Sequence, residues 1–197
     1  MVVYALASVA EIGSAAEPLI RRAVDGDMRA FEDLLALRLA PLLRLALAII
    51  GDEVDARDAV QEACVKAWRG LPGLRDPASF DGWLRRILTN QCRETIRGKR
   101  RRRVREIAVS HIDPDFDVER SAGSAPDPAE RAGQLEVLGR AFDRLDANAR
   151  ILLALHHLEG RSVAEISAEL RLPATTIKWR LYRARTALQA ALEHEQP

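Results

Sequence analysis

The pattern of apolar and polar positions near the C-terminus predicts two short helices joined by a tight turn. Ser162 followed three residues later by Glu165 forms a capping box, so we expect a helix to begin at Val163. Pro173 is tolerated in the first turn of a helix but not in its interior, which predicts that a second helix starts straight afterwards. Along this second helix, apolar residues recur at the spacing of a buried face, at Ile177, Leu181, Ala184 and Leu188.

The opposite side of the second predicted helix combines aromatic, hydroxyl and cationic side chains. At about 100° per residue this side presents Thr175, Trp179, Tyr182, Arg183 and Thr186, with Thr176 and Lys178 at its margins. No acidic residue occurs between Glu169 and Glu193. Because cations neutralise phosphates and side chains near a helix start contact base edges, this pattern predicts a DNA-binding helix-turn-helix. The alternative is a basic amphipathic helix that only packs within the protein.

Apolar spacing also predicts helices throughout the N-terminal half, without the alternation that is typical of strands. We expect one helix to be lined by Phe31, Leu34, Leu35 and Leu39. A second apolar segment is predicted between Pro41 and the break at Gly51.

The next predicted helix, DEVDARDAVQEACVKAWRG, has a buried stripe and an acidic edge. The stripe consists of Ala56, Val60, Ala63, Cys64 and Ala67. The residues left on the outside are Asp55, Asp58, Gln61 and Glu62. Solvated surface charge is one interpretation of this edge, and a docking surface for a protein partner is the other.

The following helix, SFDGWLRRILTNQCRETIRGKRRRR, begins with aromatic residues and ends in a dense cationic block. Phe80 and Trp83 are predicted to lie in the core, because Phe80 shares an apolar arc with Leu84, Ile87 and Leu88. Polar chemistry continues along the helix at Arg85, Arg86, Asn90, Arg93 and Arg97. Such groups suit nucleic acid, where phosphates pair with positive charge.

Charge is segregated along the chain although the totals almost cancel. The 197 residues include 30 Lys and Arg against 29 Asp and Glu, so the net charge of +1 by itself indicates no partner. After the basic run RGKRRRRVR comes an acidic, proline-containing stretch that cannot bury enough apolar surface to fold. We therefore predict an all-α protein of two small helical domains: an N-terminal extension at 1–17, a domain at 18–103, a flexible linker at 104–134 and a second domain at 135–194.

Several classes of protein are disfavoured by what the sequence lacks. The apolar start has no preceding Lys or Arg, and the run from Leu42 to Ile50 is too short to span a bilayer, so we expect a cytoplasmic protein. Cys64 and Cys92 have no metal-ligand spacing; core packing is the favoured interpretation and a redox pair the alternative. Without a phosphate loop, clustered metal ligands or a nucleophile beside a base, we expect no catalytic residue, no metal site and no cofactor.

Taken together, these segments resemble the bacterial RNA polymerase sigma factors of the extracytoplasmic-function (ECF, group IV) type, within the sigma-70 family. The resemblance rests on Gly26-Asp27 with Ala30-Phe31, on GDEVDARDAVQEACVKAW, on SFDGWLRRILTN with its basic tail, and on the segment from RLDANAR to RARTAL. It covers most of residues 20–192. Members of this type consist of sigma regions 2 and 4 joined by a linker.

The resemblance implies a role for each surface. The edge formed by Asp55, Asp58, Gln61 and Glu62 would dock on the β′ clamp helices of core RNA polymerase, while region 4 would meet the β flap. Residues 71–79, which include Ser79, would capture a flipped base of the minus-ten element together with Asn90. Arg93 and Arg97 would contact the same element. The minus-thirty-five element would be contacted by Thr176, Lys178, Trp179, Arg180, Tyr182 and Arg183. Trp179 departs from the small polar residue that family members commonly have.

The resemblance also implies promoter DNA and an anti-sigma factor as partners, with no membrane insertion and no catalysis by the chain itself. A free-standing helix-turn-helix regulator is the first alternative, but it would not explain the acidic edge or the Asn90 helix and would usually dimerise. An enzyme that acts on nucleic acid is the second alternative. Co-purification with core polymerase distinguishes the first, and run-off transcription distinguishes the second.

Overall fold

The computed structural model describes residues 16–109 and 128–195, and all regular secondary structure in these ranges is helical. In the N-terminal part the helices are α1 (16–24), α2 (Met28–Ala36), α3 (Leu39–Ile50), α4 (Glu53–Gly70) and α5 (Phe80–Val109). Two short 3₁₀ turns, Leu71–Gly73 and Pro77–Ser79, connect α4 to α5. In the C-terminal part the helices are α6 (Pro128–Asp143), α7 (Ala147–Leu153), α8 (Val163–Leu170) and α9 (Ala174–Glu193).

The N-terminal helices enclose a mainly aliphatic core that also contains the buried rings of Phe31 and Phe80. Short polar side chains define where the helices begin: the Asp27 carboxylate accepts hydrogen bonds at the start of α2, and Asp52 does so at the start of α4. Gly51 ends α3 with a left-handed φ of 84°, which is freely accessible to glycine. The largest fully buried side chains here include Leu34, Leu45, Ile49, Leu71, Phe80, Leu84 and Leu88.

One helix boundary differs from the sequence prediction. Phe31, Leu34 and Leu35 lie on α2, but the helix ends before a turn at Leu37 and Arg38. Leu39 then begins α3, with 45% of its surface exposed. Pro41 was expected to separate the two helices and instead lies in the first turn of α3. A proline is accommodated there because the first backbone N–H groups of a helix have no partner within the helix.

Helix also extends into both ends of the segment predicted to be a linker. α5 continues to Val109, and α6 begins at Pro128, a position where the fixed φ of proline suits a helix start. The predicted ends of the linker, at 104 and 134, therefore lie within these two helices. Residues 110–127, which contain most of its acidic and proline residues, lie outside the described residues, as does most of the N-terminal extension.

The predicted helix-turn-helix is formed by α8 and α9. The Ser162 hydroxyl accepts from the Glu165 backbone and the Glu165 carboxylate accepts from the Ser162 backbone, which confirms the capping box. Between the two helices, Arg171 adopts a left-handed conformation at φ 53°, and Pro173 directly precedes α9. Upstream, α7 continues as a π-helical turn over Ala154–Leu158. Ile177 and Leu181 are buried, as the spacing predicted, and Ile166 on α8 is buried as well.

The capping box gives a prediction that depends on pH. Hydrogen bonds from the backbone and hydroxyl of Ser162, and from Arg161, lower the pKa of Glu165 from 4.5 to about 2. A lowered carboxyl pKa stabilises the folded state above the unfolded pKa, and this contribution is lost as pH falls from 4.5 towards 2. We expect Glu165→Ala to lower the free energy of unfolding by about 0.5–1 kcal/mol at pH 7, a modest value because the site is exposed and screened.

Urea unfolding of the wild type and of Glu165→Ala between pH 7 and pH 3 measures the difference in their free energies of unfolding. This difference should become smaller below pH 4.5. Glu32→Ala, which removes another exposed carboxylate, is the matched control and should change the stability by less than about 0.5 kcal/mol at either pH. A difference that stays constant down to pH 3 would contradict an ionised Glu165 as its source.

The two helical parts share one apolar cluster. Ile151, Leu155 and Ile166 from the C-terminal part belong to the same cluster of buried residues as the core around α3, α4 and α5. Arg150 on α7 crosses the boundary and donates to the carbonyl oxygens of Ile49 and Ile50 at the end of α3, at 3.4 and 3.5 Å. The sequence predicted two domains but did not predict that they pack against each other.

Candidate nucleic-acid interface

The two sides of α9 are separated as the sequence predicted. Ile177 and Leu181 are buried at 0% and 3% exposure, whereas Trp179 and Tyr182 are exposed at 57% and 69%. Thr175, Lys178, Arg183 and Thr186 are also exposed, and Thr176 is half-buried. The helix therefore presents an aromatic and cationic surface to solvent, with the composition that binding to the DNA backbone and base edges requires.

Arg180, another predicted contact on α9, lies near the polar residues of α5. Its side chain is half-buried and close enough to Arg93 on α5 for its charge to act there. Burial lowers the pKa of Arg93, and the positive charges of Arg97 and Arg180 lower it further. Arg93 and Arg180 thus bring positive charge from both domains to one place.

The predicted minus-ten residues on α5 form a polar stripe. Asn90 and Arg97 are exposed and seven residues apart, so they lie on one side of the helix with Arg93 between them. The Arg93 Nη1 donates to the Asn90 Oδ1 at 2.5 Å. Ser79 is exposed at the other end of α5, where its hydroxyl donates to the Asp76 carbonyl at 2.7 Å. The structure thus joins Asn90, Arg93 and Arg97 but holds Ser79 at the start of the helix.

This polar stripe also contacts the C-terminal domain. The Arg93 Nε donates to the Asn148 Oδ1 on α7 at 2.8 Å. Nearer the start of α5, the Arg85 Nε pairs with the Glu169 Oε2 on α8 at 3.0 Å. Burial raises the pKa of Glu169, and the adjacent Arg85 opposes that rise. Arg93 is therefore engaged within the protein rather than free to bind DNA in this conformation.

The predicted acidic edge on α4 borders a groove of about 580 Å³ between α4 and α5. Asp58, Gln61 and Glu62 are exposed and line it, while Asp55 is half-buried and paired with Lys99 on α5. The other wall and floor are formed by Val65, Lys66, Gln91, Glu94 and Thr95. The groove is thus open, mostly polar and acidic along one wall.

Lys66 fixes the two walls of this groove relative to each other. Its ammonium group donates to the Gln91 Oε1 at 2.5 Å and to the Glu94 Oε2 at 2.9 Å. Together with the Lys99–Asp55 pair nearer the start of α4, this contact sets the antiparallel register of α4 and α5. Asp58 and Glu62 are therefore displayed on a rigid helix pair.

Comparison with known proteins assigns these surfaces to two regions of one protein family. Residues 34–102 match the family model for sigma-70 region 2, and residues 135–188 match the model for sigma-70 region 4. The chain belongs to the sigma-70 family. Region 2 contains the acidic groove and the α5 stripe, while region 4 contains α8 and α9.

The relatives of this sigma factor include members of the ECF subfamily. It is 31% identical over 187 residues to the RNA polymerase sigma-H factor of Pseudomonas aeruginosa, covering 90% of this chain and 93% of that protein. It is 29% identical over 183 residues to the ECF RNA polymerase sigma-E factor of Escherichia coli, covering 86% and 90%. The protein named Probable RNA polymerase sigma factor RfaY, from Xanthomonas campestris pv. campestris, is 34% identical over 151 residues, and this chain spans 36% of its length.

A solved structure of a similar protein has the same overall arrangement. It is the sigma factor RpoE in complex with the anti-sigma factor NepR from Bartonella quintana, which is 26% identical, with a TM-score of 0.60. The match covers 84% of this chain and 98% of that one. This sigma factor is therefore an ECF-type member whose fold follows that of its relatives.

Sequence reasoning missed the groove residues that α5 contributes to this sigma factor. Gln91, Glu94 and Thr95 recur at the spacing of one helical face, but nothing in the sequence indicates that this face lies beside Asp58. It also missed Asn148 and Glu169 as partners of Arg93 and Arg85. An acid and an amide on the helices of region 4 carry no local signal of contact with region 2.

The two cysteines of this sigma factor are free thiols within region 2. Cys92 is buried and Cys64 half-buried. Burial raises the pKa of Cys64, and it raises the pKa of Cys92 to about 12. Both thiols are therefore protonated at neutral pH and poorly nucleophilic, in agreement with the core-packing interpretation.

Two negative findings apply to the part of the chain that the structure describes. Among residues 16–101 and 136–195, whose side chains are described, no group of three or more His, Cys, Asp or Glu side chains could hold a metal ion. In the same ranges, no helix combines the length and the apolar character that crossing a membrane requires.

Proposed function

We propose that this sigma factor contacts the minus-thirty-five element of its promoters through the exposed face of α9. The supporting observation is the segregation of that helix, with Trp179, Tyr182 and Arg183 in solvent and Ile177 and Leu181 in the core. Lys178 and Arg183 neutralise phosphates, while Thr176 and Trp179 lie in the helix half that enters the major groove. Arg180, on the side facing α5, contacts DNA only after region 4 moves away from Arg93.

The α5 stripe contacts the minus-ten element. Residues 71–79 and Asn90 belong to the region 2 segment that would hold a flipped base, while Arg93 and Arg97 would follow the separated strand. Extruding a base costs a few kcal/mol, which stacking and a cationic groove offset. In the present conformation the Arg93 guanidinium donates a hydrogen bond to Asn148. Promoter binding therefore requires that this hydrogen bond and the Arg85–Glu169 ion pair be replaced by contacts to DNA.

The acidic groove between α4 and α5 docks on core RNA polymerase. Asp58, Gln61 and Glu62 line one wall and would meet basic side chains on the β′ clamp helices, while region 4 meets the β flap. Charge complementarity of this kind governs orientation and association rate in protein interfaces. Catalysis of RNA synthesis belongs to the polymerase, and the sigma factor supplies promoter selection and melting in the cytoplasm.

An anti-sigma factor regulates this activity. The supporting observation is the solved complex of a similar sigma factor with the anti-sigma factor NepR. A partner of this kind would restrain regions 2 and 4 and so keep the polymerase groove and the DNA-binding faces from engaging together.

Run-off transcription with purified core polymerase tests the proposed function. Core enzyme plus the chain should produce discrete transcripts from a subset of genomic templates, while core enzyme alone and the chain alone should not. Start sites mapped after overexpression should share sequence elements near minus ten and minus thirty-five. Failure of the chain to bind core polymerase, combined with tight binding to a palindromic operator, would establish the free-standing regulator instead.

A further inference from the structure

Trp179 is an unusual residue to leave in solvent on a DNA-binding helix. It is 57% exposed, although the same helix buries smaller apolar side chains at Ile177, Leu181 and Ala184. Large exposed aromatic rings commonly mark binding surfaces, because their burial on a partner releases much apolar area from water. The exposed indole therefore requires an account of what it contacts when α9 is bound.

Its position on the helix indicates that this contact is with bases rather than with phosphates alone. α9 begins at Ala174, so Trp179 lies in its second turn. A rise of about 1.5 Å per residue places it about 8 Å from the start of the helix axis. In helix-turn-helix proteins the N-terminal part of this helix reaches the base edges in the major groove.

Arg183 fixes the orientation of the indole. Its guanidinium carbon lies 5.1 Å from the centroid of the Trp179 ring, one turn further along α9. A cation over an aromatic face is attracted by the negative potential of that face, and more strongly when DNA excludes water from the pair. This contact covers one face of the ring and leaves its remaining apolar surface available.

The major groove offers one apolar group to such a surface. Thymine carries a 5-methyl group, while adenine, guanine and cytosine present hydrogen-bonding atoms there. Towards a base edge, the indole of Trp179 offers one N–H donor and otherwise apolar contact. We propose that Trp179 determines specificity in the minus-thirty-five element by packing against a thymine methyl group, with Arg183 as the positioning residue. This inference rests on the proposed promoter contact of α9.

Replacing single thymines by uracil tests the contact, because uracil pairs identically and lacks only the methyl group. Holoenzyme made from core polymerase and the full chain would first select minus-thirty-five sequences from a randomised promoter library. Each thymine of the selected element would then be replaced in turn, and holoenzyme affinity measured at fixed salt. At one position the loss should be about four-fold, which corresponds to about 0.8 kcal/mol for burying one methyl-sized group.

Trp179→Ser should bring the ratio between thymine and uracil affinities at that position close to one. Tyr182→Ser removes the other exposed aromatic ring of α9 and is the matched control, which should keep the four-fold ratio. Arg183→Gln should shrink the ratio as well as the overall affinity, because the ring loses its fixed orientation.

Three results would overturn the inference: a selected element without thymine, no uracil penalty at any thymine, or an unchanged penalty in Trp179→Ser. Loss of the ratio in Tyr182→Ser alone would assign the methyl contact to Tyr182 instead. These outcomes differ from failure of the proposed function, in which the wild-type holoenzyme would enrich no sequence and direct no specific transcript.

Discussion

Replacing Arg150 by methionine is expected to lower the free energy of unfolding by about 3 kcal/mol, because it removes one partner from a buried polar network. Arg150 is 7% exposed. Its guanidinium donates to the Leu145 carbonyl at 3.2 Å, to the Asp143 carboxylate at 3.0 Å and to the Asp143 carbonyl. Methionine fills a similar volume but has no hydrogen-bond donor, so these three acceptors would stay in place without the guanidinium that now serves them.

The same guanidinium links region 4 to region 2. It is directed at the Ile49 and Ile50 carbonyl groups, where the last carbonyl groups of α3 lack donors within their own helix. The negative end of the helix dipole adds to the attraction. We therefore expect the substitution also to weaken contact between the two regions, visible as faster proteolysis of the chain between them.

Arg144→Met is the matched control, since it removes a neighbouring arginine that is exposed and paired with Glu195 at 2.7 Å. Arg144→Met should lower the free energy of unfolding by less than about 1 kcal/mol. Urea unfolding followed by circular dichroism measures both variants. Arg150→Lys should recover little of the loss, because a single ammonium group cannot serve several acceptors in a fork. Equal and small effects in Arg144→Met and Arg150→Met would show that the network contributes little.

The features that the sequence predicted correctly are those that a few neighbouring residues determine. The capping box of Ser162 and Glu165 fixes where α8 begins, and Pro173 fixes where α9 begins, because both act through the adjacent backbone. The separation of α9 into a buried apolar side and an exposed aromatic and cationic side also follows from the spacing of its apolar residues alone. The break between α2 and α3 was misplaced because Pro41 is compatible with either side of a helix start.

The features that the sequence could not predict depend on distant contacts. Arg93 and Asn148 are 55 residues apart, and Arg85 and Glu169 are 84 residues apart. Each residue alone has the pattern of an ordinary surface side chain on its own helix. Only the docking of α7 and α8 on α5 makes them partners, and that docking results from apolar side chains such as Ile151 and Ile166, which would equally suit a separate domain core.

Reversing the charge of Asp58 should separate polymerase binding from DNA recognition. We expect Asp58→Lys to weaken binding to core polymerase at least ten-fold, since it places a cation in an acidic wall that is proposed to face basic clamp helices, a change worth roughly 1.4 kcal/mol or more. Glu53→Lys makes the same charge change on α4 at an exposed site outside the groove, and is expected to change core affinity less than three-fold.

The reciprocal variant combines Lys178→Ala with Arg183→Ala on α9. Both side chains are exposed and neither lines the groove between α4 and α5, so core affinity should be unchanged while promoter affinity falls about ten-fold or more at moderate salt. The salt dependence of promoter binding should become shallower, because fewer counterions are released from the DNA. Titration of labelled sigma factor with core polymerase measures the first property, and promoter binding by the assembled holoenzyme measures the second. If Asp58→Lys retained normal core affinity, the docking assignment would be wrong; if the α9 variant lost core and promoter binding together, the two surfaces would not act separately.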